Sequence, residues 1–527
     1  MPPHLPDEII LIILSNLVPT DMQLSIRSLS CASRVSRLFR RIAEPLLYCH
    51  LHLPTRKVLE TLCNRPELGD HVRVIDGHSG GLFWDERGAV KSLLHDQFRG
   101  LVRHKYCWPA LDALLEHLIP PELDPDRDDK DMPYYFLDTA CLTLTLFLTP
   151  HVEKLNVGMF PQETPDMLAR LFELCGDRHP IRHEGGSGGD MMSRMPVPLS
   201  ELRSLYLFVE TLGPGHVYFD SANIRPLVLY PGLQTLDLSG MDWGGTGADT
   251  SSEANEADEE DEADRGDDDH NNSRLERTGI QTNQAVPGWP PTKYTFPGSH
   301  PNTKSLRLYD NYPTKPDGVR EMLVAYPNLH TLVLEACEHE GKREPFDFTE
   351  YGTVLHNYAR NLRRFEFEQE NVSDADFEGH DRGAIGSLRD NWTRLEPLRM
   401  PLAALLGQDI TEQPDLCDYL PVSLRWFWIT MPDFENAQMY LNALDGMLDD
   451  RRLPRLEWVL VMLPEGSELL GGDELPDGDD GFGVEPSGFN LLGLGERHIL
   501  CMRKSACVVH TPPGWEGARV ESSVRLP

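Results

Sequence analysis

Positive charge is the scarcest resource of this chain. Lys and Arg number 49 against 84 Asp and Glu, for a net charge of −35 over 527 residues. Phosphate backbones and anionic headgroups are bound by clustered Lys and Arg, so this balance argues against nucleic acid and membrane surfaces as ligands. Cysteine is sparse and scattered: ten residues with no C-x-x-C pair exclude a dense disulfide framework and read as reduced thiols acting as small core hydrophobes. Long apolar runs are missing too. No stretch approaches twenty uninterrupted apolar residues, and the N-terminus lacks a basic region followed by an apolar one. The expectation is a soluble protein of the cytoplasm or nucleus, where the sequons at Asn371 and Asn391 carry no meaning.

Signatures of catalysis are equally thin. There is no G-x-S-x-G elbow to present a nucleophile. Gly185-Gly186-Ser187-Gly188-Gly189 lacks the Lys and Ser/Thr of a phosphate loop. The carboxylates from Asp473 to Asp480 do not follow the spacing of a calcium loop closed by a glutamate. His50-Leu51-His52 has strand-like spacing, but nothing in the sequence marks a third ligand beside it. It reads as strand decoration; no catalytic residue, metal or cofactor is expected.

What is present begins at the N-terminus. Pro6 suits the first turn of a helix, where a missing N–H costs nothing, and Asp7 and Glu8 complement the positive end of the helix dipole. Ile9, Ile10, Ile13, Leu14 and Leu17 follow at helical spacing, and Val18-Pro19-Thr20 closes the segment before a second helical stretch opens near Asp21. Three short helices fit into residues 5 to 44. So small a unit has little core of its own and is expected to offer apolar surface to a partner.

Beyond it one pattern returns nine times: apolar, two residues, apolar, one residue, apolar. Examples are Leu202-Leu205-Leu207, Leu329-Leu332-Leu334 and Leu424-Phe427-Ile429. The first positions are 152, 202, 233, 303, 329, 362, 395, 424 and 456, and the last five spacings are 26, 33, 33, 29 and 32. A near-regular period of that length signals a solenoid whose units each hold one short strand and a return segment. Helical periodicity fills several return segments, as at Met167 to Phe172, Val319 to Tyr326, Tyr351 to Tyr358 and Met439 to Met447. A further strand at Ile499 to Met502 is positioned to cap the last repeat's edge. Between Glu253 and Asp269 stand eleven acidic residues and one arginine, a segment expected to stay disordered. Arg182 to Asp190 and Gly471 to Gly488 read as flexible insertions.

Leu5-Pro6-Asp7-Glu8, the apolar stripe after it, and the Cys31 to Phe39 stretch ending in Ala43-Glu44-Pro45 together resemble an F-box. The repeats, with the linker signature Leu46-Leu47-Tyr48, His50 to Leu53 and Arg65-Pro66-Glu67-Leu68-Gly69, resemble the irregular leucine-rich repeats that follow F-boxes in many fungal proteins. The expected α/β architecture is a short all-α F-box of three helices (1–47), a linker with first irregular units (48–150), and leucine-rich repeats (151–240 and 301–470) forming a horseshoe. A disordered acidic insertion (241–300), a flexible loop (471–488) and a C-terminal cap (489–527) complete it.

The resemblance implies a non-catalytic substrate receptor of an SCF-type E3 ubiquitin ligase, docked on a Skp-type adaptor and cullin scaffold and holding a protein substrate. The alternative is a leucine-rich-repeat scaffold or regulator acting outside any ligase. By the resemblance, Leu5, Pro6, Ile9, Ile10, Ile13, Leu14, Val35 and Phe39 face the adaptor or support that face. Alternation along the strands sends Tyr206, Arg307, Tyr309, Arg399, Trp426, Trp428 and Trp458 off the sheet as candidate substrate contacts, since aromatic and Arg residues dominate binding hot spots. The three tryptophans form either an exposed platform or a surface buried by the C-terminal cap. The general acidity points to a basic partner.

Overall fold

The computed structural model describes residues 6–16, 22–52, 56–77, 142–159, 166–177, 198–209, 219–220, 224–242, 300, 302–311, 316–337, 347–370, 383–407, 415–430, 443–444, 447, 451–463, 489–494 and 497–503. Leu5, most of the linker, the two glycine-rich insertions and the acidic insertion apart from Met241, Asp242 and His300 lie outside these residues; Met241 and Asp242, expected as the start of that insertion, are a short strand.

The first element, α1 (Asp7–Ser15), starts on Pro6, keeps Asp7 and Glu8 in its first turn, and is closed by Asn16, whose side-chain amide donates to the Ile12 carbonyl at 2.9 Å. α2 (Met22–Val35) and α3 (Arg37–Cys49) are separated by Ser36 alone, whose hydroxyl caps α3 by accepting from the Phe39 N–H at 3.2 Å. Ile10, Leu14, Leu29 and Ala43 form the small core of this bundle, with Phe39 and Ile42 packed against it, and Asp7 pairs with Arg41 across the α1–α3 interface. α3 reaches Cys49 and passes without a loop into strand β1 (His50–His52). The segment Leu46-Leu47-Tyr48, expected as linker, is therefore helix: Leu46 and Leu47 pack on the bundle core, which holds the chain helical to the edge of the sheet.

After β1 come α4 (Arg56–Asn64), a 3₁₀ turn (Pro66–His71) and β2 (Val74–Gly77). The strands continue with β3 (Lys154–Met159), β4 (Ser204–Val209), β5 (Phe219–Asp220), β6 (Thr235–Ser239), β7 (Met241–Asp242), β8 (Ser305–Asn311), β9 (Thr331–Cys337), β10 (Arg364–Glu370), β11 (Pro397–Pro401), β12 (Trp426–Thr430), β13 (Trp458–Leu463), β14 (Phe489–Leu494) and β15 (Arg497–Arg503). All but β5 and β7, which pair with each other, join one thirteen-stranded sheet in the order β1-β2-β3-β4-β6-β8-β9-β10-β11-β12-β13-β15-β14. From β1 to β13 every neighbour is parallel and follows in chain order. The last two strands reverse direction: β15 pairs antiparallel with β13 and β14 antiparallel with β15, which covers the edge that β13 would present.

Register explains the repeat. The middle apolar residue of each unit lies beside its counterpart: Leu155, Leu205, Leu236, Leu306, Leu332, Phe365, Leu398, Phe427 and Val459 form one lateral row, extended by Leu51 and Ile75. All are buried in one continuous core with Leu168, Phe172, Met322, Leu323 and Tyr351 from the intervening helices. Those helices are Asp166–Asp177, Pro316–Ala325 and Phe348–Tyr358, and the edge-on contact of Phe348 with Phe367 at 5.9 Å shows how they seat on the strands. Burying a side chain of this size stabilises by roughly 1.5–3 kcal/mol.

The backbone adds a relay. In most units the first-position N–H donates to the carbonyl three residues earlier, as from Leu202 to Leu199, Leu233 to Tyr230, Leu329 to Tyr326, Leu362 to Ala359 and Leu395 to Trp392. The next residue's carbonyl then accepts from the following unit: Arg203 from Gln234 and Thr235, Gln234 from Lys304 and Ser305, Lys304 from His330 and Thr331. The unit that starts with Thr303 in place of an apolar residue keeps its buried hydroxyl satisfied by donating to the Leu233 carbonyl at 3.2 Å. A parallel sheet covered on both faces has nearly continuous apolar strands; here strands such as β6 and β11 alternate buried and half-buried residues, so one face is apolar and the other mainly polar, with Val333 and Leu460 as buried apolar exceptions.

Gly69 sits where the 3₁₀ turn crosses the helix over 142–148, and a Cβ there would lie 1.9 Å from the Leu148 carbonyl oxygen. Gly69→Ala is expected to cost at least about 1–3 kcal/mol through backbone displacement, read as a lower urea midpoint with an unchanged slope.

Candidate docking surfaces and the junction between them

Two surfaces stand out, one on the helical bundle and one on the polar face of the sheet. α1 is apolar on every side. Ile10 and Leu14, four residues apart, turn into the bundle core and are 3% and 2% exposed, whereas Ile9, Leu11, Ile12 and Ile13 are 42%, 45%, 56% and 48% exposed. Ile26 on α2 and Val35 at its end are exposed as well. A helix apolar all round is normally buried on all sides; here its second face is open, a concentration of aliphatic surface that marks an interaction site.

Of the residues expected at an adaptor interface, Ile9, Ile13 and Val35 are therefore exposed, Ile10 and Leu14 brace them from inside, and Phe39 is half-buried against the bundle core. Pro6 is exposed at the head of α1, and Leu5 is outside the described residues. Leu11, Ile12 and Ile26 join the surface without having been singled out by periodicity. For Leu11 and Ile12 the signal was present, because the run Ile9 to Leu14 exceeds what one helix face can bury; Ile26, on α2, lies outside that run.

On the sheet, the outward row one residue after the core row runs His52, Asp76, Asn156, Tyr206, Asp237, Arg307, Val333, Glu366, Arg399, Trp428 and Leu460, each beside the next. Arg307 is committed locally. It lies 3.9 Å from the Asp237 carboxylate, and its guanidinium donates to the Tyr309 hydroxyl at 3.4 Å. Desolvation raises the Asp237 pKa, and Arg307 and Lys154 oppose that rise. Arg399 is three strand spacings away, about 14 Å, with Glu366 in the row between them; the two arginines occupy separate sites. Tyr206 stacks on Phe208 at 5.2 Å.

The Arg399 guanidinium lies over the Trp428 ring at 4.1 Å, and Arg425 lies over Trp426 at 4.4 Å. Both tryptophans are half-buried, so each indole is covered on one face by a guanidinium, a cation–π contact that holds the ring in place. Trp458 pairs in register with Trp426; its side chain is outside the described residues, as are those of β14 and β15.

The bundle and the sheet meet through Arg65, which grips Glu44 of α3 with two hydrogen bonds of 2.9 and 3.0 Å and Glu67 with a third of 2.9 Å. Arg65 hydrogen bonding holds the Glu44 carboxyl below its ordinary value, against the upward pull of desolvation. At the same junction His50 and His52 do not stand alone as the spacing suggested: β2 brings Asp76 beside them, with its Oδ2 2.5 Å from His50 Nε2 and 3.1 Å from His52 Nδ1. The sequence could not mark Asp76, since only the parallel pairing of β1 with β2 places it there.

Among the described residues no helix is long and apolar enough to cross a membrane. Comparison with known families matches residues 2–54 to the F-box-like family model, and that segment holds α1 to α3 and β1. No curated protein matches the chain significantly. The F-box-like domain suggests a protein that binds the adaptor of an SCF-type complex.

Because the native carboxyl of Glu44 is the more acidic form, its pairing with Arg65 stabilises fully above the ordinary value of 4.5 and is lost as pH falls through the lowered native value. Glu44→Gln is expected to cost about 1 kcal/mol at neutral pH, in keeping with a partly exposed ion pair. The difference from wild type should shrink as pH falls below 4.5 and vanish once the lowered native value is passed, as followed by denaturant melts across a pH series.

Proposed function

We propose that this chain is the non-catalytic substrate-recognition subunit of an SCF-type E3 ubiquitin ligase. The open apolar face of α1, inside the segment that matches the F-box-like model, carries the reading. A surface of Ile9, Leu11, Ile12, Ile13 and Ile26 is costly in water and suits the apolar interface of a Skp-type adaptor, which in turn connects to the cullin scaffold. Val35 extends that surface, Pro6 stands at its edge with Leu5 preceding it in sequence, and Ile10, Leu14 and Phe39 shape it from beneath.

In the same proposal the stacked strand–helix units are degenerate leucine-rich repeats, and their polar face receives a protein substrate. Support comes from the in-register row and from the clamped Trp426 and Trp428, rigid aromatic groups flanked by Arg399 and Arg425 of the kind that anchor interfaces. Tyr206, Arg307 and Tyr309 belong to the same face, and Trp458 holds the register position beside Trp426. The excess of acidic residues favours a basic substrate. Catalysis is then positional: holding the substrate beside a ubiquitin-loaded enzyme raises effective concentration with no chemistry by this chain. Such an assembly belongs in the cytoplasm or nucleus.

The test separates the exposed residues of α1 from the buried ones. Co-purified with the Skp-type adaptor and cullin, the Ile9→Glu, Ile13→Glu double variant is expected to lose adaptor binding at least tenfold with an unchanged melting temperature. Ile10→Ala should instead lower stability by about 2–5 kcal/mol. Absence of adaptor binding by the wild-type chain would reject the ligase reading and leave a scaffold acting outside one. Trp428→Ala is expected to keep adaptor binding while reducing crosslinking to substrate, measured on the reconstituted complex.

A further inference from the structure

His50, His52 and Asp76 occupy the point where the helical bundle becomes the sheet. His50 and His52 are two apart on β1, so both imidazoles leave the strand on one face while Leu51 between them enters the core. Parallel pairing sets Asp76 beside His52. Asp76 is only 8% exposed, a carboxylate withdrawn from water, and such groups are retained where something cationic faces them. One ligand atom from each of the three residues falls within 4.8 Å of the others.

The carboxylate is also aimed. Asn156, next in register on β3, donates its side-chain amide to Asp76 Oδ1, leaving Oδ2 turned toward both imidazoles. This is the arrangement by which outer groups orient a metal ligand. The two imidazole rings lie 4.1 Å apart at their centroids. A divalent ion can take one lone pair from each imidazole and one carboxylate oxygen, so a single ligand would engage all three groups at once.

We propose that His50, His52 and Asp76 bind a zinc ion, with Asn156 positioning the carboxylate. Nitrogen and oxygen donors in this number suit zinc with one position left to solvent, and His50, whose side chain is 41% exposed, borders that opening. Bonds of about 2.0–2.1 Å place tetrahedral ligand atoms about 3.3 Å apart. The 3.1 Å separation of His52 from Asp76 already fits, and His50 at 2.5 Å must swing outward by less than an ångström, which its exposure permits. The ion would tie the three-residue edge strand β1 to β2 and, because α3 runs directly into β1, fix the F-box-like bundle on the sheet. This inference is independent of whether that bundle docks on an adaptor.

The experiment uses the full chain, stripped by chelation and titrated with zinc by calorimetry and with cobalt(II) by absorption. The expected result is one equivalent bound, a tetrahedral cobalt spectrum without thiolate charge-transfer bands, and a melting temperature raised by zinc and lowered by chelator. Asp76→Asn, which preserves shape, and His52→Gln should lose binding at least tenfold. Asn156→Ala should weaken it by about 10–100-fold, providing a readout if a ligand variant fails to fold. Thiolate bands, undiminished zinc affinity in Asp76→Asn and His52→Gln, or no zinc uptake by wild type would overturn the proposal; the last would leave His50 and Asp76 as a hydrogen-bonded pair.

Discussion

Lateral pairing is the interaction on which the rest of this molecule depends. Each unit has one short strand whose apolar residues can be buried only against the units on either side, and each takes its backbone register from the carbonyl of the unit before. Glu153 offers its carbonyl to Arg203 and Ser204, Arg203 to Gln234 and Thr235, and so on toward Glu457. Chain order and spatial order therefore coincide from β1 to β13. Insertions between units are tolerated because they leave the strand pairing intact: the long acidic stretch separates β6 from β8 in sequence, yet Leu236 and Leu306 are direct neighbours.

The same constraint creates the polar face. With alternate residues of each strand committed to the core, those between them form rows that cross the sheet and bring together groups far apart in the chain. Arg307 meets Asp237, Arg399 meets Trp428, and Asp76 meets two histidines. Guanidiniums laid on indoles and carboxylates serve two ends. They compensate buried charge, and they hold side chains in defined positions from which a partner can be recognised without a large ordering cost.

At the N-terminal edge the sheet is joined to a bundle too small to bury its own apolar residues. Ile10 and Leu14 use the available core, and the remaining aliphatic groups of α1 face outward. The rigid passage of α3 into β1, the Glu44–Arg65–Glu67 cluster and the histidine–aspartate group all act at this one joint. Under the proposed function a docking surface and a substrate surface would be useful together only with a defined relative orientation, and this joint is where the bundle and the sheet are held to one another.

Local patterning made several of these features legible in the amino-acid order. The start of α1 at Pro6, the strands two residues after each first apolar position, and the helices around Met167, Val319 and Tyr351 follow from periodicity and end signals within windows of a few residues. The outward parity of Tyr206, Arg307, Arg399 and Trp428 follows from alternation. Other features depend on contacts that no local window contains. Which aliphatic residues of α1 stay exposed was settled by how little core α2 and α3 supply. The pairing of Arg307 with Asp237, the separation of Arg307 from Arg399, and the arrival of Asp76 beside His50 and His52 were settled by register between strands 24 to more than 90 residues apart in sequence. Spacing along a chain specifies which face a side chain leaves; only the packing of one unit on the next specifies what it meets there.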